Sequence, residues 1–203
     1  SLIILLPVLV GLLLWHQLPE QIPVHFNSEG VADSYQSKLW GVTFIYLVIF
    51  ACHWFAAIIT SVDPRRRNIS SKIYRLVLWI CPVISVFVGV TIYGTALNWP
   101  WVNINFMANL LLGVIFIVIG NYLPKCRQNY TVGIKVPWTL ASEANWDATH
   151  RMAGKLWVAG GVLILLLAIQ PWIPAFPISL VLILAVTFIP MIYSFVYYLR
   201  NEK

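Results

Sequence analysis

Charge is what this sequence has least of. Lys, Arg, Asp and Glu together make up 10% of its 203 residues, against roughly 25% in a soluble domain. A soluble surface needs polar cover, and a chain of this size cannot hide the deficit in a core. A water-soluble globular fold is therefore excluded. Acids are scarcer still, seven against thirteen Lys and Arg. Cysteine is sparse, and Cys52, Cys81 and Cys126 stand at no disulfide or metal-site spacing. They read as small apolar residues, so no disulfide frame and no metal are expected. No nucleophile elbow or phosphate cradle is present, so neither a cofactor nor enzymatic activity is expected. No internal repeat or midplane helix break is visible, which argues against the common transporter designs.

What the chain has is hydrocarbon: 60% hydrophobic residues and a mean hydropathy of +0.82. Apolar runs approach the ~20 residues that cross a bilayer at 39–62, 76–97, 106–122, 156–169 and 178–199. A sixth run, 2–15, is short. The chain opens on Ser1 without a basic n-region or cleavage site, so we read a few N-terminal residues as missing or replaced rather than a signal peptide as removed. Cations concentrate in cytoplasmic loops. Arg65, Arg66, Arg67, Lys72 and Arg75 fall in one loop, Lys125, Arg127, Lys135, Arg151 and Lys155 in another, and Arg200 and Lys203 follow the last run. Only Lys38 lies in the alternate loops, a split of twelve to one. The expected fold is an all-α membrane protein, a six-transmembrane-helix bundle with both termini cytoplasmic. It is read as one polytopic domain, 1–203: a two-span unit over 1–62 with an outer loop at 16–38, then a four-span unit over 63–203 with a cytoplasmic segment at 121–155. The net charge of +6 is then an orientation signal facing the lipid bilayer, and direct nucleic-acid binding is not expected.

The outer loop begins extended at Pro19 and Pro23, turns at Asn27-Ser28-Glu29-Gly30, and alternates Val24 and Phe26 with His25 and Asn27, which allows a short strand or ribbon. It is too small to fold alone and must lie on the helix ends. Trp99, Trp101 and Trp172 read as anchors at the outer interface. Pro82 and Pro190 permit kinks within spans. Gly89, Gly94, Gly113 and Gly120 leave room for close helix approach. His53 is the one ionisable group deep in a span. Such residues are functional candidates; the other reading is a neutral histidine bonded to a neighbouring helix, with Asn109 as partner.

The cytoplasmic segment divides in two. Pro124 ends the helical pattern, with Lys125 and Arg127 at the helix end; Asn129-Tyr130 and Gly133 mark a turn, and Pro137-Trp138 starts the next unit. Ser142 reads as an N-cap with Glu143 in the first turn. Trp146, His150 and Gly154 then fall on one face, and Asp147 and Arg151 form an i, i+4 pair. The expectation is a short interfacial cytoplasmic helix over 142–154, before span five, with a Trp anchor and a solvated charged face. Glu143, Asp147 and His150 also allow general acid–base chemistry.

These residues resemble the signature of the SdpI family of bacterial membrane proteins. The matching parts are the GNYLPK run from Gly120, Asn129-Tyr130, Gly133-Ile134, the PWTL run from Pro137, Ser142-Glu143, Trp146, Thr149-His150-Arg151 and Gly154-Lys155. The outer loop resembles the domain of unknown function that often precedes it, through Leu18-Pro19, Ile22-Pro23, His25-Phe26-Asn27, Gly30, Asp33 and Lys38. One departure is Lys135-Val136, where the family has Arg-Thr; charge is kept but the bidentate fork is lost. The resemblance implies a non-enzymatic immunity and signalling protein of the bacterial cell membrane. It would resist a secreted antimicrobial peptide toxin and hold a cognate transcriptional repressor at the membrane. On that reading His25, Asn27, Asp33 and Lys38 contact the extracellular peptide. Asn121, Tyr122, Lys125, Asn129, Lys135, Trp138, Glu143, Trp146, His150, Arg151 and Lys155 form the cytoplasmic relay or docking surface. Two alternatives remain: a small-solute or ion transporter or channel drawing on His53 and Asn109, and an interfacial enzyme using Glu143 and His150.

Overall fold

A computed structural model describes residues 2–170 and 175–201; Trp172 and Lys203 lie outside the described residues. The chain is mostly helical: α1 (Leu6–Leu13), α2 (Lys38–Ser61), α3 (Ser71–Ala96), α4 (Ile104–Tyr122), α5 (Pro137–Ala141), α6 (Glu143–Ala168) and α7 (Ala175–Asn201). Among the described residues five helices are long and apolar enough to cross a membrane: Lys38–Ser61, Ser71–Ala96, Ile104–Lys125, Glu143–Ala168 and Pro177–Asn201. The first apolar helix, Leu2–Leu13, reaches only ~18 Å at 1.5 Å per residue, short of the ~30 Å hydrocarbon core. The five long runs and the short sixth run of the sequence are thus five crossing-length helices and one shorter helix.

The all-α expectation needs one correction. Strands β1 (Gln21–Phe26) and β2 (Ala32–Ser37) pair antiparallel in the loop 16–38. Their turn is closed by Asn27, whose Oδ1 accepts from the amides of Glu29 and Val31, and by Gly30 at φ +80. Two strands alone are marginal in water, so the ribbon needs a support, and it has one. Ile22 is fully buried, and a Cβ on Gly41 would strike its side chain at 2.6 Å; glycine lets the ribbon lie against α2.

The ribbon belongs to the first of two compact units, Ser1–Ala57 with Arg75–Leu111. Its core is Leu18, Ile22, Val42, Tyr46, Ile92 and Tyr93. The short N-terminal helix is tied into this core by two hydroxyls that donate to its carbonyls. Ser85 Oγ donates to Ile4 O at 2.7 Å, and Tyr93 OH donates to Pro7 O at 2.8 Å.

The second unit is Ile58–Tyr74 with Leu112–Lys203. Its helices α4 and α6 meet through glycine: Gly120 lies against Gly154 O, and Gly161 against Gly113 O, so that any Cβ would come within 3.0 Å of backbone. The sequence placed Gly113 and Gly120 for such an approach; their partners Gly154 and Gly161 repeat the same seven-residue spacing on α6. The expected separate interfacial helix is also corrected. Ser142 does cap it, accepting from Asn145 N at 3.2 Å, but the helix runs unbroken to Ala168. Within it Gly154 lies against Pro124 and Gly120 O, where a Cβ would meet either within 2.7 Å.

Candidate functional site

Two polar assemblies stand out, one in each unit. The first is the ribbon. Lys38 opens α2 with its side chain buried; Nζ donates to Glu20 Oε1 at 2.8 Å and to Trp15 O at 3.2 Å and lies over the Trp15 ring. It clamps the base of the ribbon. Asn27 is committed to the turn. His25 and Asp33 bridge the strands at 2.6 Å on an exposed face. Of the four residues singled out in this loop, two build it and two face solvent.

The second assembly is a polar cap built on 63–74, 123–141 and the first turns of α6. Asp63 is buried. Its Oδ1 accepts from the Arg65 amide at 2.6 Å, and its Oδ2 accepts from Tyr130 N at 3.0 Å and Thr131 Oγ1 at 2.8 Å. One carboxylate thus joins two segments far apart in sequence. Arg65 stacks on Tyr130 and donates to Gln128 Oε1, while Gln128 Nε2 donates to Thr139 O and Leu140 O. Asn129 closes its own turn: Nδ2 donates to Arg127 O and Val132 O, and Oδ1 accepts from the Thr131 and Val132 amides.

Trp146 and His150 form the centre of the cap. Both are enclosed, at 0% and 1% exposure, and their rings stack at 4.1 Å. Trp146 Nε1 donates to Cys126 O at 2.7 Å. His150 Nε2 accepts from Ile134 N at 2.9 Å, so it carries no proton; Nδ1 carries it and donates to Trp146 O at 2.8 Å. The ring is neutral and both nitrogens are engaged. Gly133, at φ +125, passes so close that a Cβ would meet His150 Nε2 at 2.5 Å. Burial pushes the Cys126 thiol beside this centre up to about 11.

The expected Trp anchor is therefore corrected to a buried indole, while the expected charged face is exposed. Trp146, His150, Asn145 and Thr149 point into the unit, whereas Glu143, Asp147, Arg151 and Lys155 lie exposed on the other face of α6. Glu143 is exposed at the first turn of α6 while His150 is buried, and both nitrogens of the histidine ring are taken by backbone groups. Asn121 and Lys125 are exposed, the latter over the Tyr122 ring. Lys135 Nζ donates to Thr131 O, and Trp138 packs on Phe195. In the first unit His53 is buried with no hydrogen bond at Nδ1, and Asn109 Nδ2 donates within its own helix to Asn105 O. Among the described residues no three His, Cys, Asp or Glu side chains gather as a metal site.

Sequence reasoning missed Asp63, Gln128 and the buried triad Asn145, Thr149 and Ser194. In that triad Asn145 Oδ1 accepts from both hydroxyls, and its Nδ2 donates to Ser194 O. The signal for Asp63 was available: it is the lone acid in an arginine-rich loop, just before a proline. No local signal marks Ser194.

Comparison with known proteins agrees with the motifs. Residues 125–198 match the model of the SdpI/YfhL protein family, and residues 2–50 match a domain of unknown function, DUF1648. Over 201 residues, 97% of this chain and 92% of the relative, the chain is 25% identical to "Immunity protein SdpI" of Bacillus subtilis (strain 168). No solved structure matches the chain. With five apolar helices of crossing length, the likeness makes this a multi-pass membrane protein.

Proposed function

We propose, for a chain carrying an SdpI/YfhL-family segment at 125–198 and the DUF1648 segment at 2–50, that it is an integral membrane immunity protein of a bacterial cell membrane. It gives its cell resistance to a secreted antimicrobial peptide. The observation that carries this reading is the extent of the likeness: it runs through the outer ribbon and the cytoplasmic cap alike, over 97% of the chain. The chain acts by binding and not by catalysis. What supports this is the state of His150, whose two nitrogens are both committed to backbone.

The finer reading has six crossings with both termini inside, the first made by the short helix; the loop-charge split supports it. The ribbon then faces the outside and meets the peptide, and the exposed Asn121, Lys125, Lys135, Glu143, Arg151 and Lys155 face the cytoplasm, where a repressor would dock. The test is expression in a sensitive host challenged with candidate antimicrobial peptides. Survival should rise with expression level. Equal killing with and without the chain, across the panel, would remove the immunity reading.

A further inference from the structure

Beside the ribbon lies a cavity of about 490 Å³ lined by Val24, Gln36, Trp40, Phe44, Ile45 and Ile92. It is apolar apart from Gln36, whose side chain is exposed. Trp40 and Phe44 flank it edge to face at 5.2 Å, each about half exposed.

The ribbon offers one open edge next to this cavity. The Lys38 amide donates to Glu20 O, which sets the phase of the ladder. Hydrogen-bonded pairs alternate in an antiparallel ribbon, so Ile22 with Gln36 is bonded, while Pro23 with Tyr35 and Gln21 with Ser37 turn their backbone groups outward. On β1 the outward position at Pro23 has no N–H and the residue is buried, which interrupts that edge and leaves it the outward amide of Gln21 alone before Pro23. On β2 the outward amides of Tyr35 and Ser37 remain, and Asp33 to Ser37 are all exposed. An open edge with intact donors is a template for another strand.

Charge selects what that strand carries. The loop 16–38 has three acids, Glu20, Glu29 and Asp33, and Lys38 is its single Lys or Arg. Lys38 is buried against Glu20, which leaves Glu29 and Asp33 as the acids of the ribbon with no Lys or Arg against them among the described residues; Asp33 bonds His25 at 2.6 Å on the same exposed face. Every other Lys and Arg lies elsewhere in the chain.

We infer that β2 and the adjoining cavity bind an extended cationic peptide by strand addition: its backbone pairs with Tyr35 and Ser37, a bulky apolar side chain enters between Trp40 and Phe44, and its cations face Asp33 and Glu29. This rests on the immunity reading and names how the outer ribbon would take its peptide.

The test uses the full chain in nanodiscs of zwitterionic lipid and a dye-labelled synthetic peptide of alternating Val and Thr with one Trp and flanking Lys, read by anisotropy. Tyr35→Pro removes only an outward amide, as Pro23 does across from it, and Tyr35→Ala keeps the amide. Binding should weaken roughly tenfold or more in Tyr35→Pro and survive in Tyr35→Ala. The paired change Glu29→Gln with Asp33→Asn, both on the surface, should flatten the salt dependence. Equal binding by Tyr35→Pro, absence of binding by the probe, or full displacement by a single-chain phospholipid would overturn the inference; the last would assign the cavity to an acyl chain. In cells the two readings separate. If wild type protects and Tyr35→Pro protects equally, strand addition fails and immunity stands. If wild type never protects but the probe binds as described, immunity alone fails.

Discussion

At the scale of single residues, the polar side chains of the cap act mainly on their own backbone. His150 takes the Ile134 amide and Asn129 takes two amides of its turn. Gly133 is where these demands meet, because its φ is left-handed and its Cα faces the His150 ring. Gly133→Ala should cost about 1–3 kcal/mol, read as a lower unfolding midpoint in detergent. Adding His150→Ala removes the nearest atom, so the double change should cost less than the two singles combined. His150→Phe keeps the stack on Trp146 but leaves the Ile134 N–H buried and unpaired, a loss of about 1–3 kcal/mol. The Cys126 thiol, held up to about 11 by burial, is only ~0.1% thiolate at pH 8. Its alkylation in the folded protein should therefore be slow there and rise about tenfold per pH unit below 11; rapid labelling at pH 8 would mean the cap opens.

At the scale of elements, the helices of the second unit are joined by groups that proline and glycine make available. Pro190 has no amide for the carbonyl four residues back, Val186 O. Trp157 Nε1 on α6 donates to that carbonyl at 2.9 Å, so the helix break on α7 becomes a contact between helices. Trp157→Phe should cost about 1 kcal/mol in the native background and clearly less in Pro190→Ala, where the restored amide satisfies Val186 O. A double-mutant cycle showing no coupling would mean the indole bond contributes nothing. The α4–α6 seam works by the opposite means: Gly113, Gly120, Gly154 and Gly161 remove side chains so that backbones touch. The pattern of glycines was visible in the sequence for α4. Which glycines faced them was not, since that depends on the antiparallel alignment of two helices.

At the scale of the whole molecule, topology is the testable quantity. In a chain with Cys52 and Cys81 replaced by Ala, an impermeant thiol reagent on intact cells should label Ser28→Cys at the ribbon turn and leave Arg67→Cys unlabelled until the membrane is opened. Both positions are exposed, so the difference reports sidedness. Labelling of both from outside would contradict six crossings with both termini inside.

Composition and loop charge were enough to decide that the chain lives in a membrane and where its long helices run, because burial in hydrocarbon acts on every residue of a span at once. Local chemistry also marked the Ser142 cap, the Asn27–Gly30 turn and the polar interval 121–155. Only the tertiary structure decided which polar residues are scaffold and which are surface. Trp146 and His150 read as an interfacial face because helical periodicity says which residues share a side, not what lies against it. The segments that enclose them, held by Asp63 and Gln128, come from far along the chain. The same holds for the loop 16–38: alternation suggested the ribbon, but its seat on α2 exists because Gly41 lets the Ile22 side chain lie against that helix.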